Sequence, residues 1–592
     1  MEETASSPLA IALQPSWLRK LVMRFTGLDQ LAAYYARWLR QQPFPSASQA
    51  GVFLDFVLDS FGVSVDWQQA GRLQQIPRSG PLLVVSNHPL GAMEGMLLTR
   101  ALLRIRPDVK VLANRLLLRF PEFREVFIGV DVLTDTQRKA NALALIQASR
   151  HLEQGGVLVM FPAGTVGQQN QWSGRVSDRP WNKLAGYLCR RHRCACLPFY
   201  VRAHNRRRFY LSGLIHKRLR TALLAREMLA KCNQRIPIAV GRLVEYAELA
   251  PLGDDDSRTQ YLRTCCKLLG ADRVVDTDTE AVHKPLAANL DPALIRRELS
   301  RLESRRLLQM AGMSLYCAPY AELGPVMEQI AISRERTFRA VSEGTGQELD
   351  LDHFDPYYWH LWAWDDEAGR LVGGYRLGKV DEIIAAHGLQ ALYSYSLYHY
   401  DKAFIKRLGR SIEVGRSFVT PEYQRHTRVL DLLWRGIGRF MLANPDDHTL
   451  FGCVSVSREY SPLAQAFIED IMRKHFTAAP EYIHGVKAKT PLRVAFKPWS
   501  EAAIEPLSNI PVINKLLGRI DSGKTIPILI RHYLALNGRF VSFTLNTGFN
   551  DSLDGLIIVD LRKTPERYLA RYMGKQRAKQ FLNKWKQYES VA

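Results

Sequence analysis

One short stretch constrains this 592-residue chain more than any other. Pro81-Leu82-Leu83-Val84-Val85 is an unbroken apolar run that reads as a buried strand. It leads directly into Ser86-Asn87-His88-Pro89-Leu90-Gly91-Ala92-Met93-Glu94-Gly95. A strand that runs into a Pro/Gly turn carrying a histidine and, six positions on, a carboxylate holds a general base at a strand end. Histidine titrates near neutrality, and a carboxylate can fix its tautomer and stabilise the cation formed on proton transfer.

The pattern around this strand sets the organisation. Between about 80 and 245, apolar runs at 82–85, 109–113, 156–161, 195–201 and 236–240 alternate with helical stretches such as 138–153, and 214–232 reads as a basic helix. This alternation predicts an α/β domain. Residues 250–310 are polar and charged and read as a connection ending in an exposed helix at 294–307. A second α/β region begins near Met313, with strands expected at 358–365, 371–377, 391–397, 411–418, 449–456 and 556–561, and helices at 326–339, 429–442 and 461–474. The expected divisions are a helical segment at 1–60, an α/β domain at 61–250, a connection at 251–312 and a second α/β domain at 313–592. A chain this long is expected to form two to four domains.

Charge narrows the partners. Eighty Lys and Arg against 58 Asp and Glu give a net charge of +22. That balance favours a polyanion, either nucleic acid or an anionic membrane surface, or an acidic carrier protein. The basic residues are dispersed and no nucleic-acid recognition motif is visible, so no nucleic-acid partner is expected. No apolar run reaches the roughly 18 residues of a spanning helix, and the acidic start Met1-Glu2-Glu3 is wrong for a signal peptide. The eight cysteines lack metal-ligand spacing. No metal is expected, and free thiols in a reducing cytoplasm are the simplest reading. Trp17-Leu18-Arg19-Lys20-Leu21-Val22-Met23-Arg24-Phe25 suits either an interfacial membrane-docking helix or a core-packing one.

Three further signals follow His88 in order: Phe127-Ile128-Gly129-Val130-Asp131, then Val157-Leu158-Val159-Met160-Phe161-Pro162-Ala163-Gly164-Thr165, then Leu197-Pro198-Phe199-Tyr200-Val201. Together with the His88 turn they resemble the lysophospholipid acyltransferases of the glycerolipid acyltransferase family. The branch is the hemolysin-like one, which includes the lyso-ornithine lipid O-acyltransferases. The resemblance implies that His88 deprotonates an acceptor hydroxyl for attack on an acyl thioester and that Glu94 orients and charge-stabilises it. Asn87, Phe161, Pro162, Gly164 and Thr165 are the implied acceptor- and acyl-binding residues. The family's usual turn is Phe-Pro-Glu-Gly-Thr-Arg. Here Ala163 replaces the Glu and Val166 the Arg, which removes a bidentate phosphate clamp and points to a non-phosphate acceptor. Arg175, Asp178 and Trp181 either bind a head group or form a structural ion pair.

The C-terminal half carries Ile412-Glu413-Val414-Gly415-Arg416-Ser417-Phe418, Leu371-Val372-Gly373-Gly374-Tyr375-Arg376-Leu377, Leu432-Leu433-Trp434-Arg435-Gly436-Ile437, Phe451-Gly452-Cys453-Val454-Ser455 and a tail with Phe549-Asn550 and Asp554-Gly555. The set resembles the GNAT acyltransferase fold, in its ornithine N-acyltransferase branch and more distantly the acyl-homoserine lactone synthases. The resemblance implies that an amine attacks a thioester at a strand splay, with Glu413 relaying the amine proton and Arg376 and Arg416 holding a carboxylate or carrier group. The loop that usually cradles pyrophosphate has Thr427 and Val429 at its glycine positions. Acyl carrier protein is therefore expected as donor ahead of coenzyme A, with no bound cofactor. Arg425, His426 and Arg428 are either carrier-docking residues or a solvated basic loop.

Joined, the halves resemble the bifunctional ornithine lipid synthases. The implied order is N-acylation of ornithine with a 3-hydroxyacyl group, then O-acylation of the lyso-ornithine lipid, at the inner face of a bacterial inner membrane. The alternatives are another aminolipid, such as a glycine or glutamine lipid, or a lysophosphatidate acyltransferase with a regulatory GNAT-like domain.

Overall fold

A computed structural model describes the chain apart from residues 1–7, 10–14, 43, 45, 47–48, 131–137, 170–175, 216, 272–282, 427 and 592. Asp131, Arg175 and Thr427 lie outside the described residues. The chain forms two compact units: residues 1–273 with 498–519, and residues 274–497 with 520–592. The segment 498–519 leaves the second stretch of sequence to join the first unit. There Arg519 pairs with Glu248 (2.9 Å) and donates to the carbonyl oxygens of Arg242 and Leu243.

The first unit is built on seven strands: β1 (Ser64–Gln68), β2 (Leu82–Ser86), β3 (Val109–Asn114), β4 (Phe127–Val130), β5 (Val157–Met160), β6 (Ala195–Val201) and β7 (Arg235–Val240). Their order is β1-β7-β6-β2-β5-β3-β4. Neighbours run parallel except β6 and β7. β2 lies between β6 and β5, and all five of its residues are buried. A parallel strand covered on both faces needs an unbroken apolar sequence, which is why 81–85 shows no alternation. The basic stretch expected as one helix at 214–232 is instead three helices, Arg207–Ile215, Lys217–Ala222 and Leu224–Leu229. The bends bring Leu223 and Leu224 onto a small cluster of Val166, Phe209 and Tyr210, a tertiary demand that periodicity does not carry.

The second unit has an eight-stranded sheet: β8 (Arg306–Met310), β9 (Met313–Pro319), β10 (Trp359–Asp365), β11 (Arg370–Lys379), β12 (Ser411–Val419), β13 (Thr449–Val456), β14 (Arg539–Asn546) and β15 (Ser552–Asp560). Their order is β8-β9-β10-β11-β12-β13-β15-β14. Among its pairings only β12 and β13 are parallel, and their ladder covers three pairs, Ser411 with Thr449 to Glu413 with Phe451. Both strands run on beyond it, so the sheet splays from Val414. Residues 391–397, expected as a strand, form the helix Tyr393–Leu397. The reason lies in Glu413, whose carboxylate accepts the N–H groups of Tyr393 and Ser394 at the start of that turn (3.1 and 2.7 Å).

Among the described residues no helix is long and apolar enough to cross a membrane. The helix Ser16–Thr26 carries Trp17, Leu21 and Phe25 at i, i+4 and i+8, exposed at 64%, 59% and 51%. They form one apolar stripe along the helix.

Candidate functional site

In the first unit β2 ends at Ser86, and the turn delivers His88 beside the first turn of the helix Ala92–Leu103. Gly91 makes this possible with φ 99°, a left-handed conformation that a side chain would resist. Glu94 is fully buried, and one of its oxygens, Oε1, accepts the N–H groups of Leu90 and Gly91 (3.0 Å each). His88 Nδ1 lies 2.9 Å from the same oxygen, a close approach rather than a well-aligned hydrogen bond. A carboxylate against Nδ1 leaves the Nε2 lone pair as the base. The imidazole, 18% exposed, stacks on Phe161 with ring centroids 4.6 Å apart.

The backbone of His88 is held from both sides. Its N–H donates to Asp178 Oδ1 (3.1 Å), and its carbonyl accepts from Gly167 N–H (2.8 Å). Burial pushes the Asp178 carboxyl up, against the lowering effect of the His88 N–H and of Trp181 Nε1, which donates to Oδ2 (3.1 Å). Asp178 and Trp181 therefore position His88; neither forms an ion pair among the described residues. Asn87 has a different job. Its side chain accepts from Val201 N–H (2.7 Å) and donates to Val201 carbonyl (3.0 Å), tying the end of β2 to β6. The Phe161–Gly164 turn closes through Gly164 N–H to Phe161 carbonyl (2.9 Å), and Pro162 carbonyl accepts from Asn182. Thr165 Oγ1 is buried with no partner among the described residues. Val166, standing where the usual turn has Arg, is buried against Phe209 and Tyr210.

In the second unit Arg376 and Arg416 join a buried ionic network with Arg334. Arg334 binds Asp350 (2.8 Å) and Asp355 (2.8 Å). Arg376 binds Asp352 (2.7 Å) and Asp355 (3.1 Å). Arg416 binds Asp350 (3.0 Å) and Asp352 (3.1 Å). Three guanidinium groups meet three carboxylates, so the two candidate arginines already have anionic partners. Burial opposes ionisation of Asp355, but Arg334 and Arg376 outweigh it and hold its carboxyl far below the usual range. Arg416 reaches the network from a left-handed backbone, φ 48°, on the splayed part of β12. Arg376 also lies over the rings of Tyr358 and Tyr393. Glu413 is buried, accepts from the Tyr358 hydroxyl, and has both oxygens engaged with the Tyr393–Leu397 helix. Arg425, His426 and Arg428 are exposed just before the helix Val429–Ala443.

Two acids beside the splay are ones that the sequence does not single out as site residues. Asp554 on β15 is buried, accepts from Asn546 Nδ2 (2.8 Å), and is pushed up to about 6 by that burial. Glu343 is pushed up to about 8, chiefly by burial and also by Asp554, against the Ser455 hydroxyl and the Arg416 charge. Ser455 sits opposite Asp554 on β13, past the end of the β12 ladder. Asp554 lies in the tail motif Asp554-Gly555; Glu343 has no sequence signal beyond its glycine-rich loop, Ser342-Glu343-Gly344-Thr345-Gly346.

Comparison with known proteins agrees with this division. The family model described as "Acyltransferase" matches residues 48–272, and the one described as "Acetyltransferase (GNAT) domain" matches residues 333–435. The chain is an acyltransferase with an acyltransferase-like N-terminal α/β domain and a GNAT-like C-terminal one. It is similar to a glycine N(alpha)-acyltransferase of Phocaeicola vulgatus, 27% identical over 309 residues, covering 49% of this chain and 92% of that protein. A glycine N(alpha)-acyltransferase of Bacteroides thetaiotaomicron is 29% identical over 293 residues, covering 46% of this chain and 83% of that protein. Among solved structures, a CoA-dependent acyl-homoserine lactone synthase, BjaI, with SAM and isopentyl-CoA matches at 14% identity over 24% of this chain and 68% of its own. Its TM-score of 0.17 is too low to carry an argument about this chain.

Proposed function

We propose that this chain makes a two-chain aminolipid, with glycine as the amino acid in place of the ornithine suggested by the sequence. The C-terminal half joins a 3-hydroxyacyl group to the amino-acid nitrogen: the N–C bond forms, the thioester C–S bond breaks, and the thiol leaves. The ammonium must first lose a proton. Glu343 and Asp554 are suited to take it, because a carboxyl raised toward neutrality is a stronger base than an ordinary one. Glu413 then serves as a support for the Tyr393–Leu397 helix. The N-terminal half acylates the new 3-hydroxyl: His88 Nε2 takes the hydroxyl proton as the oxygen attacks a second thioester, and the imidazolium returns it to the leaving thiolate. Thr165 Oγ1, a buried donor without a partner among the described residues, is the candidate to stabilise the oxyanion.

The observation that carries the reading is a His88–Glu94 base and a GNAT fold in one chain. The two glycine N(alpha)-acyltransferases, matched over most of their own lengths, favour glycine as acceptor. The buried Val166 disfavours a phosphorylated acceptor. An acidic acyl carrier protein suits Arg425, His426 and Arg428, and an anionic membrane surface suits the Trp17–Leu21–Phe25 stripe with its neighbouring Arg19, Lys20 and Arg24. The test is lipid mass spectrometry on cells expressing the chain and fed labelled glycine or labelled ornithine. Label from glycine in a phosphate-free two-chain lipid, reduced to its one-chain form by His88→Ala, is the expected result. Label from ornithine alone overturns glycine, and altered phospholipids alone overturn the aminolipid reading.

A further inference from the structure

Arg179, which follows Asp178, and Arg220 have no anionic partner among the described residues. With its oxygen turned inward, the Gln168 carboxamide accepts from Arg179 Nε (2.8 Å), Arg179 Nη2 (2.5 Å) and Arg220 Nη1 (3.2 Å). One neutral oxygen thus gathers two guanidinium groups, both only partly exposed. Holding like charges together away from bulk water is unfavourable, and a neutral amide does not cancel them. Burial, and then the charge of Arg179, hold the Arg220 guanidinium below its usual range. Elsewhere in the fold, by contrast, buried arginines such as Arg334 and Arg519 lie against carboxylates.

The pair is also tied to the candidate base. Gln168 follows Gly167, whose N–H binds the His88 carbonyl, and Arg179 follows Asp178, whose carboxylate binds the His88 N–H. The short pairing of Gln168–Gln169 with Val176–Ser177 joins the two arms. Arg220 lies across Gly213, where a Cβ would come within 2.9 Å of its Cδ. Its near neighbour Tyr210 packs with Val166. Arg179 and Arg220 are thus reached through the elements that hold His88 and pack on Val166.

We infer that Arg179 and Arg220 form an oxyanion-binding site that holds the carboxylate or phosphate of a substrate while His88 acts on it. The forked guanidinium geometry suits either anion. Two sources carry that chemistry: the free carboxylate of an N-acyl amino acid acceptor, and the phosphate of a carrier-linked or coenzyme-linked thioester donor. The inference rests on the proposed acyl transfer at His88 only for which substrate is held; anion binding itself does not depend on it.

The test uses the full chain, Arg179→Gln/Arg220→Gln and Arg179→Lys/Arg220→Lys. O-acyl transfer is measured with N-(3-hydroxyacyl)glycine, its methyl ester, and an acyl thioester donor. In parallel, binding of N-(3-hydroxyacyl)glycine and of inorganic phosphate is measured calorimetrically in His88→Ala with and without the double Gln change. Loss of two charge-assisted contacts should raise one KM on the order of 10- to 100-fold with kcat little changed, and the Lys variant should recover part of it. A KM effect confined to the free acid, with the methyl ester already poor, assigns the acceptor carboxylate. A KM effect on the donor, with phosphate losing its binding, assigns the donor phosphate. Unchanged KM values for both substrates overturn the inference and leave the function standing. If no acceptor is O-acylated, the function fails, and the anion site stands or falls on whether the double Gln change removes binding in His88→Ala. A merely structural role would lower the melting temperature instead, whereas relieving two like charges should leave it unchanged or raised.

Discussion

Replacing Glu343 by Gln tests the acid beside the splay through its proton linkage. Glu343 is 6% exposed and its carboxyl is pushed up to about 8, chiefly by burial, from an ordinary 4.5. Because the folded value is the higher one, the folded state binds the proton more tightly. The contribution of Glu343 to stability is therefore greatest below about pH 4.5 and is lost as pH rises through about 8. The slope is about 1.4 kcal/mol per pH unit, or about 5 kcal/mol across the window. Glutamine keeps the shape and cannot ionise. Glu343→Gln should match the parent in stability near pH 5 and exceed it by several kcal/mol at pH 9, a difference of about 2–4 °C in melting temperature per kcal/mol. Thermal melts of the full chain at pH 5, 7 and 9 read this directly. If the carboxylate also receives the amine proton, the rising limb of N-acylation near pH 8 should vanish in the variant. A stability offset between the two proteins that stays constant from pH 5 to 9 would refute the linkage.

Glu94→Gln removes the charge behind His88 but keeps an acceptor for the N–H groups of Leu90 and Gly91; O-acylation should fall on the order of 10²–10⁴-fold with N-acylation intact, read by the ratio of one-chain to two-chain lipid. Gly452→Ala would place a Cβ 2.0 Å from Val414 carbonyl at the root of the splay, so the second unit should be destabilised by about 1–3 kcal/mol or more and N-acylation lost. Trp17→Ser/Leu21→Ser should weaken co-sedimentation with anionic vesicles and leave soluble-substrate turnover unchanged; unaltered sedimentation would remove the docking role of that helix.

Much of the fold could be read because its signals are local. The run 81–85 is apolar without alternation because β2 is covered on both faces, and the His88–Glu94 spacing is that of a strand-end turn followed by a helix N-terminus. The departures at Ala163 and Val166 were equally visible. What escaped was long-range. The 391–397 segment has the apolar character of a strand, yet Glu413 caps it into a helix from 20 residues away. Arg376 and Arg416 look like ligand-binding arginines until Asp350, Asp352 and Asp355 are brought against them. Beyond its glycine-rich loop Glu343 carries no local mark, since its raised carboxyl comes from burial beside Asp554, more than two hundred residues on.

The two α/β halves, and the candidate pairing of His88 with Glu94 across a strand-end turn, were legible in the sequence alone, because hydrophobic period and turn chemistry act over neighbouring residues; the order of strands in each sheet was not. Which charges are cancelled and which are left open was decided only by the tertiary structure. Among the described residues Arg334, Arg376 and Arg416 are matched by acids and Arg179 and Arg220 are not. Charge pairing depends on distance in space and on exclusion of water, and neither is written in the spacing of residues along the chain.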